Sequence, residues 1–261
     1  MCGIAGILHP PGADDAVAPL RAMIEALAHR GPNGVRVEIG DAAALGHARL
    51  SIIDLEGGWQ PLHAAGGTVI GNGEIYNYLE LAQAYGMGSE LATGSDFEPL
   101  LRLYARKGPE AFLELRGMYA LCLTGADGRT WLVRDPFGIK PLYLLQRDGA
   151  VLFASEPRAF FAAGLAEPAM SEDRAEELLS FNYTLTGETI FPGVRRLEPG
   201  DIVEVVDGQL RPWRRREAVA PRRRPETGDE LARLDQVLED SVRVHQRSDV
   251  PYGLFLSGGV D

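Results

Sequence analysis

A cysteine at the second position is the residue of this sequence best suited to do chemistry. Removal of Met1, which is usual when a small residue follows, would leave Cys2 with a thiol and a free α-amine on one carbon. An α-amine titrates near ~7.7–8.0, so it can take the thiol proton close to neutral pH and create a nucleophile. Taken alone, a cysteine after a start methionine carries no function, so the rest of the sequence must decide.

Three further segments carry polar groups that could bind a small charged molecule. Arg49 interrupts a strand-like stretch, and its guanidinium suits bidentate carboxylate recognition, although a surface salt bridge is the ordinary role of a lone arginine. Asn72-Gly73-Glu74 offers an amide and a backbone N–H to an oxyanion, or is a hairpin turn. Asp96, in Gly94-Ser95-Asp96, either faces a ligand ammonium or belongs to the N-cap of the next helix.

The composition is that of an ordinary globular protein of 261 residues with a net charge of -11. This charge disfavours nucleic acid or an anionic membrane as the main partner. No apolar run approaches the ~18–20 residues that span a bilayer, and no N-terminal signal is recognisable. Cys2 and Cys122 form neither a disulfide framework nor a metal-ligand cluster, and Cys122 lies in an apolar stretch that predicts a buried, inert thiol. We therefore expect a cytoplasmic protein without a metal site.

Strands grouped with helices, rather than in strict alternation, favour a layered α+β domain. Alternating small and branched residues predict a mostly buried strand at 2–8, and short strand-like runs predict others at 35–39, 43–50, 68–71, 118–124, 130–134, 141–146 and 150–154. Helical spacing of apolar residues predicts helices from Asp14 or Asp15 to about Arg30, over 76–85 and over 96–107.

The character of the sequence changes after about Gly208. Residues 211–224 are rich in arginine and proline, which favours a solvated linker over a nucleic-acid patch in an acidic protein. An amphipathic helix over 229–245 and a buried strand over 250–256 then lead into Ser257-Gly258-Gly259-Val260-Asp261. A strand entering a Gly-rich turn normally feeds a helix whose N-terminus receives phosphate. We therefore expect the front of a longer protein, with the apolar faces of 229–261 exposed.

The motifs occur in the order found in one family. They are Cys2, Arg30-Gly31-Pro32, the Arg49 strand, Asn72-Gly73-Glu74-Ile75-Tyr76-Asn77, Gly94-Ser95-Asp96 and Arg134-Asp135-Pro136-Phe137-Gly138-Ile139-Lys140-Pro141-Leu142-Tyr143. Over essentially its whole length, the chain resembles the class II, N-terminal-nucleophile glutamine amidotransferases. It is most similar to the glutamine-hydrolysing asparagine synthetases, which the segments 153–156 and 199–200 also match.

The resemblance implies a four-layer αββα sandwich over 1–208, a linker over 209–228, and the truncated start of an α/β ATP-pyrophosphatase (synthetase) domain over 229–261. Cys2 would attack the side-chain amide of L-glutamine, its α-amine moving the proton, while Asn72 and Gly73 hold the oxyanion. Arg49 would bind the α-carboxylate of glutamine and Glu74 with Asp96 its α-ammonium. The remaining residues that would line the glutamine pocket are Leu50, Ser51, Ile52 and Ile53.

In this family the ammonia passes through an internal tunnel to a second site, where ATP and Mg²⁺ activate aspartate; the glutaminase step needs no cofactor. The residues that match the nucleotide loop are Leu256, Ser257, Gly258, Gly259 and Asp261. With so little of that second site, the 261 residues alone are expected to make no asparagine. Family members are often dimers or larger, which allows a homodimer here.

Three alternatives stay open. Synthetases of specialised amides or β-lactams share both halves, and their specificity lies beyond residue 261. Glucosamine-6-phosphate synthases and amidophosphoribosyltransferases share the glutaminase half but lack a Ser-Gly-Gly pyrophosphate loop. A catalytically dead domain kept for docking should have lost Cys2, Arg49, Asn72 or Asp96, and all four are present. Asn33 and Trp59 depart from the family pattern, and the sequence gives no physical reason for the tryptophan.

Overall fold

The computed structural model describes residues 1–9, 13–40, 42–219, 229–256 and 258, without the side chains of residues 13 and 14. Twelve strands form two six-stranded antiparallel sheets within these residues. The first sheet has the strand order β10-β8-β9-β1-β3-β2 and the second β12-β11-β7-β6-β5-β4. The strands are β1 (Gly3–Leu8), β2 (Val35–Ile39), β3 (Ala43–Ala48), β4 (Leu62–Ala64), β5 (Gly67–Ile75), β6 (Gly117–Thr124), β7 (Thr130–Arg134), β8 (Tyr143–Arg147), β9 (Ala150–Ala154), β10 (Val194–Arg196), β11 (Asp201–Val206) and β12 (Gln209–Arg215).

Helices cover the outer face of each sheet. The helices are α1 (Ala13–Glu25), α2 (Tyr78–Ala84), α3 (Glu98–Lys107), α4 (Arg158–Ala162), α5 (Glu172–Phe181) and α6 (Glu230–His245), with short 3₁₀ turns at Ala28–Arg30 and Gly108–Glu114. Helices α1 and α4 pack on the first sheet, and α2 and α3 on the second. A third apolar cluster lies between the sheets. The predicted four-layer αββα sandwich is therefore confirmed.

The first strand lies in the interior of its sheet. β1 pairs with β3 on one side, with Gly3 opposite Ala48, and with β9 on the other. All six of its residues are buried, as the run of small and branched side chains predicts. Because one face meets α1 and the other meets the second sheet, an uninterrupted apolar strand is required here.

A buried aspartate organises the turn between β7 and β8. The carboxylate of Asp135 accepts hydrogen bonds from the backbone N–H groups of Phe137, Ile139 and Lys140, each at 3.0 Å, and from that of Tyr119 at 3.3 Å. From the other side, Arg134 donates to the carbonyl oxygens of Lys140 at 2.8 Å and Gly138 at 2.6 Å. Much of the motif over 134–143 thus shapes a turn that brings Lys140 towards the N-terminus.

Strands β2, β7 and β9 have the predicted bounds, whereas two predictions at the C-terminal side are wrong. Residues 209–215, predicted as the start of a linker, form strand β12, which pairs with β11. An edge strand tolerates Pro212, and its arginines reach acidic partners, as in the 2.7 Å pair of Arg215 with Asp201. Residues 250–256, predicted as a buried strand, have no regular structure, and residues 251–256 are exposed. Residues 216–219 of the predicted linker form neither helix nor strand, and residues 220–228 lie outside the described part of the chain.

Strand β5 is longer than predicted. It runs through Asn72-Gly73-Glu74, which pair with Ala120, Tyr119 and Met118 of β6. The hairpin-turn alternative for Asn72-Gly73 is therefore wrong, since the segment continues the strand. Among the described residues, no helix combines the length and apolar character needed to cross a bilayer.

Helix α6 should be much less protected against hydrogen exchange than α3. Within α6, all of which the structure describes, only Val244 is buried, while Leu231, Leu234 and Leu238 are exposed. Helical stability in proteins comes mainly from a packed apolar face, so this helix should open readily. We expect its amides to exchange at least about tenfold faster than those of α3, whose apolar residues are buried, in hydrogen-exchange mass spectrometry. Equal protection of the two helices in a monomer would contradict this.

Candidate active site

Cys2 enters the site as the residue immediately before β1. The Leu50 N–H donates to Cys2 Sγ at 3.3 Å, and the thiol lies 3.6 Å from the Leu50 carbonyl oxygen. Arg30 Nε donates to the Cys2 carbonyl oxygen at 2.9 Å. Burial raises the pKa of the Cys2 thiol, and the Leu50 N–H opposes that rise. The thiol is held in place but stays protonated near neutral pH unless a base takes its proton.

Asn72 faces Cys2 from the second sheet. With its amide oriented so that both polar atoms are paired, Nδ2 donates to the Cys2 carbonyl oxygen at 3.1 Å and Oδ1 accepts from Arg30 Nη2 at 3.3 Å. Arg30 is itself fixed by Glu156, with Nη1 2.7 Å from the carboxylate. The side chain of Asn72 is therefore oriented by two neighbours, which leaves one of its two N–H groups for a further partner.

Gly73 occupies a position that a side chain cannot share. Its φ is +147°, and an added Cβ would lie 2.0 Å from the Met118 carbonyl oxygen. Glycine here lets β5 approach β6 closely in a conformation that other residues rarely adopt. The backbone beside Asn72 is thereby fixed.

Two acidic side chains and a lysine share a partly buried region beside the thiol. Burial raises the pKa of Asp96 to about 7, and the charge of Glu74 adds to that rise, while a 2.7 Å hydrogen bond from the Ile75 N–H opposes it. Burial also raises the pKa of Glu74, against the attraction of Lys140. Burial lowers the pKa of Lys140, and the negative charge of Glu74 opposes this fall. Asp96 turns towards β5 instead of capping α3, whose N-cap residue is Phe97.

Arg49 is almost fully buried and organises the loop that follows β3. Its guanidinium donates to the carbonyl oxygens of Leu55 at 3.1 Å and Ile53 at 3.5 Å, and to that of Asp54. Its central carbon lies 4.9 Å from the ring centroid of Trp59. On the same ring, the corresponding carbon of Arg36 lies 4.4 Å away. These two cation–π contacts account for the tryptophan at this position.

One pocket brings together every predicted glutamine-site residue except Ser51. Those lining it are Cys2, Arg49, Leu50, Ile52, Ile53, Asn72, Gly73, Glu74 and Asp96. The backbone N–H of Ser51 instead donates to Asn33 Oδ1 at 3.0 Å, a contact that the amide oxygen of asparagine makes as well as an aspartate would. Convergence of residues so far apart in sequence is the strongest structural feature of the molecule, although their individual roles stay predictions.

The sequence reasoning missed four polar residues of the same pocket: His47, Gln60, Ser95 and Lys140. His47 lies two residues before Arg49 on β3, so the pairing of β1 with β3 could have placed it on the face of Cys2. Burial lowers its pKa to about 3, and neither ring nitrogen has a hydrogen-bond partner among the described residues. Lys140 belongs to the motif over 134–143, to which no role in the pocket was assigned from the sequence.

The predicted nucleotide residues fall largely outside the described part of the chain. Ser257, Gly259 and Asp261 are not described, whereas Leu256 is 83% exposed and Gly258 has a φ of +77°. A side chain so exposed encloses no ligand, so the nucleotide site stays a prediction. Over the described ranges, no cluster of three or more His, Cys, Asp or Glu side chains could hold a metal ion.

The fold and the pocket agree with the comparisons with known proteins. Residues 1–215 match the family model of the glutamine amidotransferase domain, and residues 233–261 match that of asparagine synthase. The chain belongs to the glutamine amidotransferase family.

Two relatives are similar over the whole of this chain. Asparagine synthetase [glutamine-hydrolyzing] 1 of Bacillus subtilis is 35% identical, and the match covers 42% of that protein. A putative asparagine synthetase [glutamine-hydrolyzing] of Mycobacterium tuberculosis is 38% identical, with 44% of it covered. The chain thus spans less than half the length of these relatives.

Among solved structures, the glutamine phosphoribosylpyrophosphate amidotransferase of Bacillus subtilis, complexed with ADP and GMP, has a TM-score of 0.60. It is 22% identical, and the match covers 82% of this chain and 49% of that one. At this identity the likeness shows a shared fold.

Substitution of Gly73 by alanine should destabilise the protein. The new Cβ would overlap the Met118 carbonyl oxygen in a strand that cannot move away from its partner, so we expect a loss of roughly 2–4 kcal/mol in the free energy of unfolding. Urea denaturation of Gly73→Ala measures it. The matched control is Gly88→Ala, where an added Cβ meets nothing within 4 Å. A Gly73→Ala variant as stable as this control would contradict the prediction.

Asp96 should make stability depend on pH. Its folded-state pKa of about 7 lies above the ~3.9 of an unfolded aspartate, so the folded state holds the proton more tightly. The resulting stabilisation is present below pH ~4 and is lost as the pH rises through about 7. Asp96→Asn carries no such proton, so its melting temperature relative to the wild type should rise between about pH 5 and pH 8, by roughly 4 °C. A difference that stays constant with pH would disprove it. The matched control is the same substitution at an exposed aspartate of α6, Asp235→Asn.

Proposed function

We propose that this chain hydrolyses L-glutamine to glutamate and ammonia, with Cys2 as the nucleophile. The observation that carries the proposal is the pocket that holds the Cys2 thiol together with Arg49, Glu74 and Asp96. Glutamine has a reactive amide at one end and a carboxylate and an ammonium at the other. A thiol accompanied by one cation and two carboxylates is complementary to that molecule.

Arg49 would bind the α-carboxylate of glutamine, and Glu74 with Asp96 its α-ammonium. Arg49 already donates to three carbonyl oxygens, so the carboxylate would be received by its remaining N–H groups and by the backbone of the same loop. Because Asp96 has a pKa of about 7, an incoming ammonium would favour its charged form. Charges at the far end of the substrate would distinguish glutamine from a simple amide.

Removal of Met1 is required to generate the base. While Met1 is present, the nitrogen of Cys2 is an amide and takes no proton; after removal it becomes an α-amine next to the thiol. Since burial raises the pKa of Cys2, a nearby base is needed near neutral pH. The sulfur would then bond to the amide carbon of glutamine as the thiol proton moves to the α-amine.

Collapse of the tetrahedral intermediate would break the carbon–nitrogen bond, and the α-amine would return the proton to the leaving ammonia. A γ-glutamyl thioester remains on Cys2. Water then attacks its carbonyl carbon, which releases glutamate and restores the thiol. Each tetrahedral intermediate carries an oxyanion, which the free N–H of Asn72 and the backbone N–H of Gly73 would bind. Loss of one such donor typically lowers turnover by ~10²–10³-fold.

In the complete protein, the ammonia would serve the ATP-dependent synthesis of asparagine from aspartate, with Mg²⁺. This further step is supported by the match of residues 233–261 to asparagine synthase and by the names of the relatives. ATP and Mg²⁺ would belong to that second site, whereas the residues of the glutamine pocket need no cofactor. The cytoplasm as compartment and a homodimer as assembly are proposed on the same family basis. A specialised amide synthetase would use the same first half with another acceptor.

Cys2→Ala should abolish glutamate release from L-glutamine, by at least ~10³-fold in kcat, because no other group in the pocket can form the thioester. The measurement is enzymatic detection of glutamate on protein whose mass shows loss of Met1. An irreversible γ-electrophilic glutamine analogue should label Cys2, as mapped by peptide mass. Cys122→Ala is the matched control, because Cys122 is buried and burial raises the pKa of its thiol.

Full activity of Cys2→Ala would disprove the nucleophile assignment. Absence of both glutamate release and label on the processed wild-type protein would favour a non-catalytic domain over the hydrolase. A label on Cys122 instead would contradict the assignment of the pocket.

A further inference from the structure

The segment that follows α6 reaches back to the glutamine pocket. The backbone N–H of Asp249 donates to the Ile52 carbonyl oxygen at 2.9 Å. The carboxylate of Asp249 in turn accepts from the backbone N–H of Asp54 at 2.7 Å. These two contacts join the chain after α6 to residues 52–54, here called the pocket loop, of which Ile52 and Ile53 line the pocket.

Asp54, the last residue of the pocket loop, contacts Arg49 and also the segment that leads to Asp96. Its carbonyl oxygen accepts from Arg49, and its carboxylate accepts from the N–H of Gly94 at 2.9 Å, two residues before Asp96. The same carboxylate accepts from the N–H of Gly57, also at 2.9 Å. Asp54 has a φ of +51°, a conformation unusual for a residue with a side chain. Such a backbone conformation persists only where surrounding contacts stabilise it, and the hydrogen bond from the Asp54 N–H to Asp249 is one of these contacts.

Four further contacts, two from the segment and two from α6, hold this part of the chain against the domain. Arg247 pairs with the Glu80 carboxylate at 2.7 Å and also donates to the Tyr76 carbonyl oxygen. The ring of His245 lies 4.3 Å from that of Tyr76, which follows β5 directly. Asp240 on α6 lies 2.6 Å from Arg116. Single exposed ion pairs contribute little, but several along one short segment define where it lies.

We propose that Asp249 is a positioning residue of the glutamine site, through which the segment after α6 sets the affinity for glutamine. The proposal rests on the function proposed above. Asp249 does not line the pocket; its carboxylate accepts the Asp54 N–H. Asp54 in turn contacts Arg49 and the N–H of Gly94, in the loop that carries Asp96. The segment therefore links the start of the second domain to the recognition of the α-carboxylate and α-ammonium.

The reacting end of the pocket is held independently. Cys2 is fixed by Leu50 and Arg30, and Asn72 by Arg30 and Cys2, without any contribution from the pocket loop. Loosening Asp54 should thus weaken binding at the far end of glutamine and leave the chemical step unchanged. The expected signature is a higher KM at constant kcat, which a general loss of stability would not produce.

The experiment compares three variants of the chain after removal of Met1. Asp249→Ala removes the acceptor for the Asp54 N–H, so the KM for glutamine should rise roughly 3–10-fold with kcat within about twofold of the wild type. Asp249→Asn keeps an oxygen that can accept the same hydrogen bond and should restore a KM near that of the wild type. Glu239→Ala is the matched control, because this exposed carboxylate pairs only with Arg243 within α6 among the described residues.

A second readout is independent of turnover. In Asp249→Ala the amide of Gly94, which Asp249 does not touch, should exchange its hydrogen faster, while the amide of Leu50 beside Cys2 should not change. An unaltered KM in Asp249→Ala, a parallel fall in kcat, or an Asp249→Asn variant as impaired as the alanine variant would overturn the proposal. If the wild type releases no glutamate, the proposed function fails, and the exchange of Gly94 alone decides whether Asp249 positions the loops.

Discussion

The hydrogen-bond ladder that holds β1 between β3 and β9 is the constraint on which the rest of the structure depends. Chain termini are usually frayed, but here the first strand lies in the interior of a sheet. Because Gly3 pairs with Ala48, the residues just outside the ladder, Cys2 and Arg49, come from adjacent strands at the same end. Cys2, the proposed nucleophile, is thus positioned by the backbone, before any side chain contributes.

The pocket opens where the apolar packing between the two sheets gives way to charge. Further along the same interior the sheets are filled by residues such as Ile4, Ile70 and Leu144. Near Cys2, burial instead lowers the pKa of His47 and Lys140 and raises that of Asp96. Leaving a buried polar atom unpaired costs about 1–3 kcal/mol of folding free energy. Both ring nitrogens of His47 lack a hydrogen-bond partner among the described residues, so this part of the interior reduces stability. Such a concentration of buried ionisable groups is typical of a functional site, where part of the stability is given up for chemistry.

Sequence patterns predicted those parts of the fold that are determined by the residues of a single strand or helix. The strand-like runs over 35–39, 130–134 and 150–154 form strands with those bounds, and every residue of the last two is buried. The motif order led to the αββα sandwich and to the group of residues that line the pocket. Strand β12 was missed because an edge strand buries little, so its arginines and proline resemble those of a linker.

Other features have no local signal. The strand predicted over 250–256 has no strand partner among the described residues, and Tyr252, Leu254, Phe255 and Leu256 are exposed. The importance of Asp54 arises from contacts with Arg49, Gly94 and Asp249, which are up to 195 residues away. His47 belongs to the site only because β3 lies beside β1. Only the tertiary arrangement could reveal these residues.

The position of Trp59 gives the protein an intrinsic optical signal. Of its three tryptophans, Trp131 and Trp213 pack against each other, 5.9 Å apart, in the second sheet, whereas Trp59 lies apart from them and contacts Arg36 and Arg49 at the pocket. Indole emission responds to nearby charge. Under the proposed function, a carboxylate bound at Arg49 would change the charge beside this ring. Occupancy of the pocket would then alter the emission of Trp59, and ligand binding could be followed without any added dye.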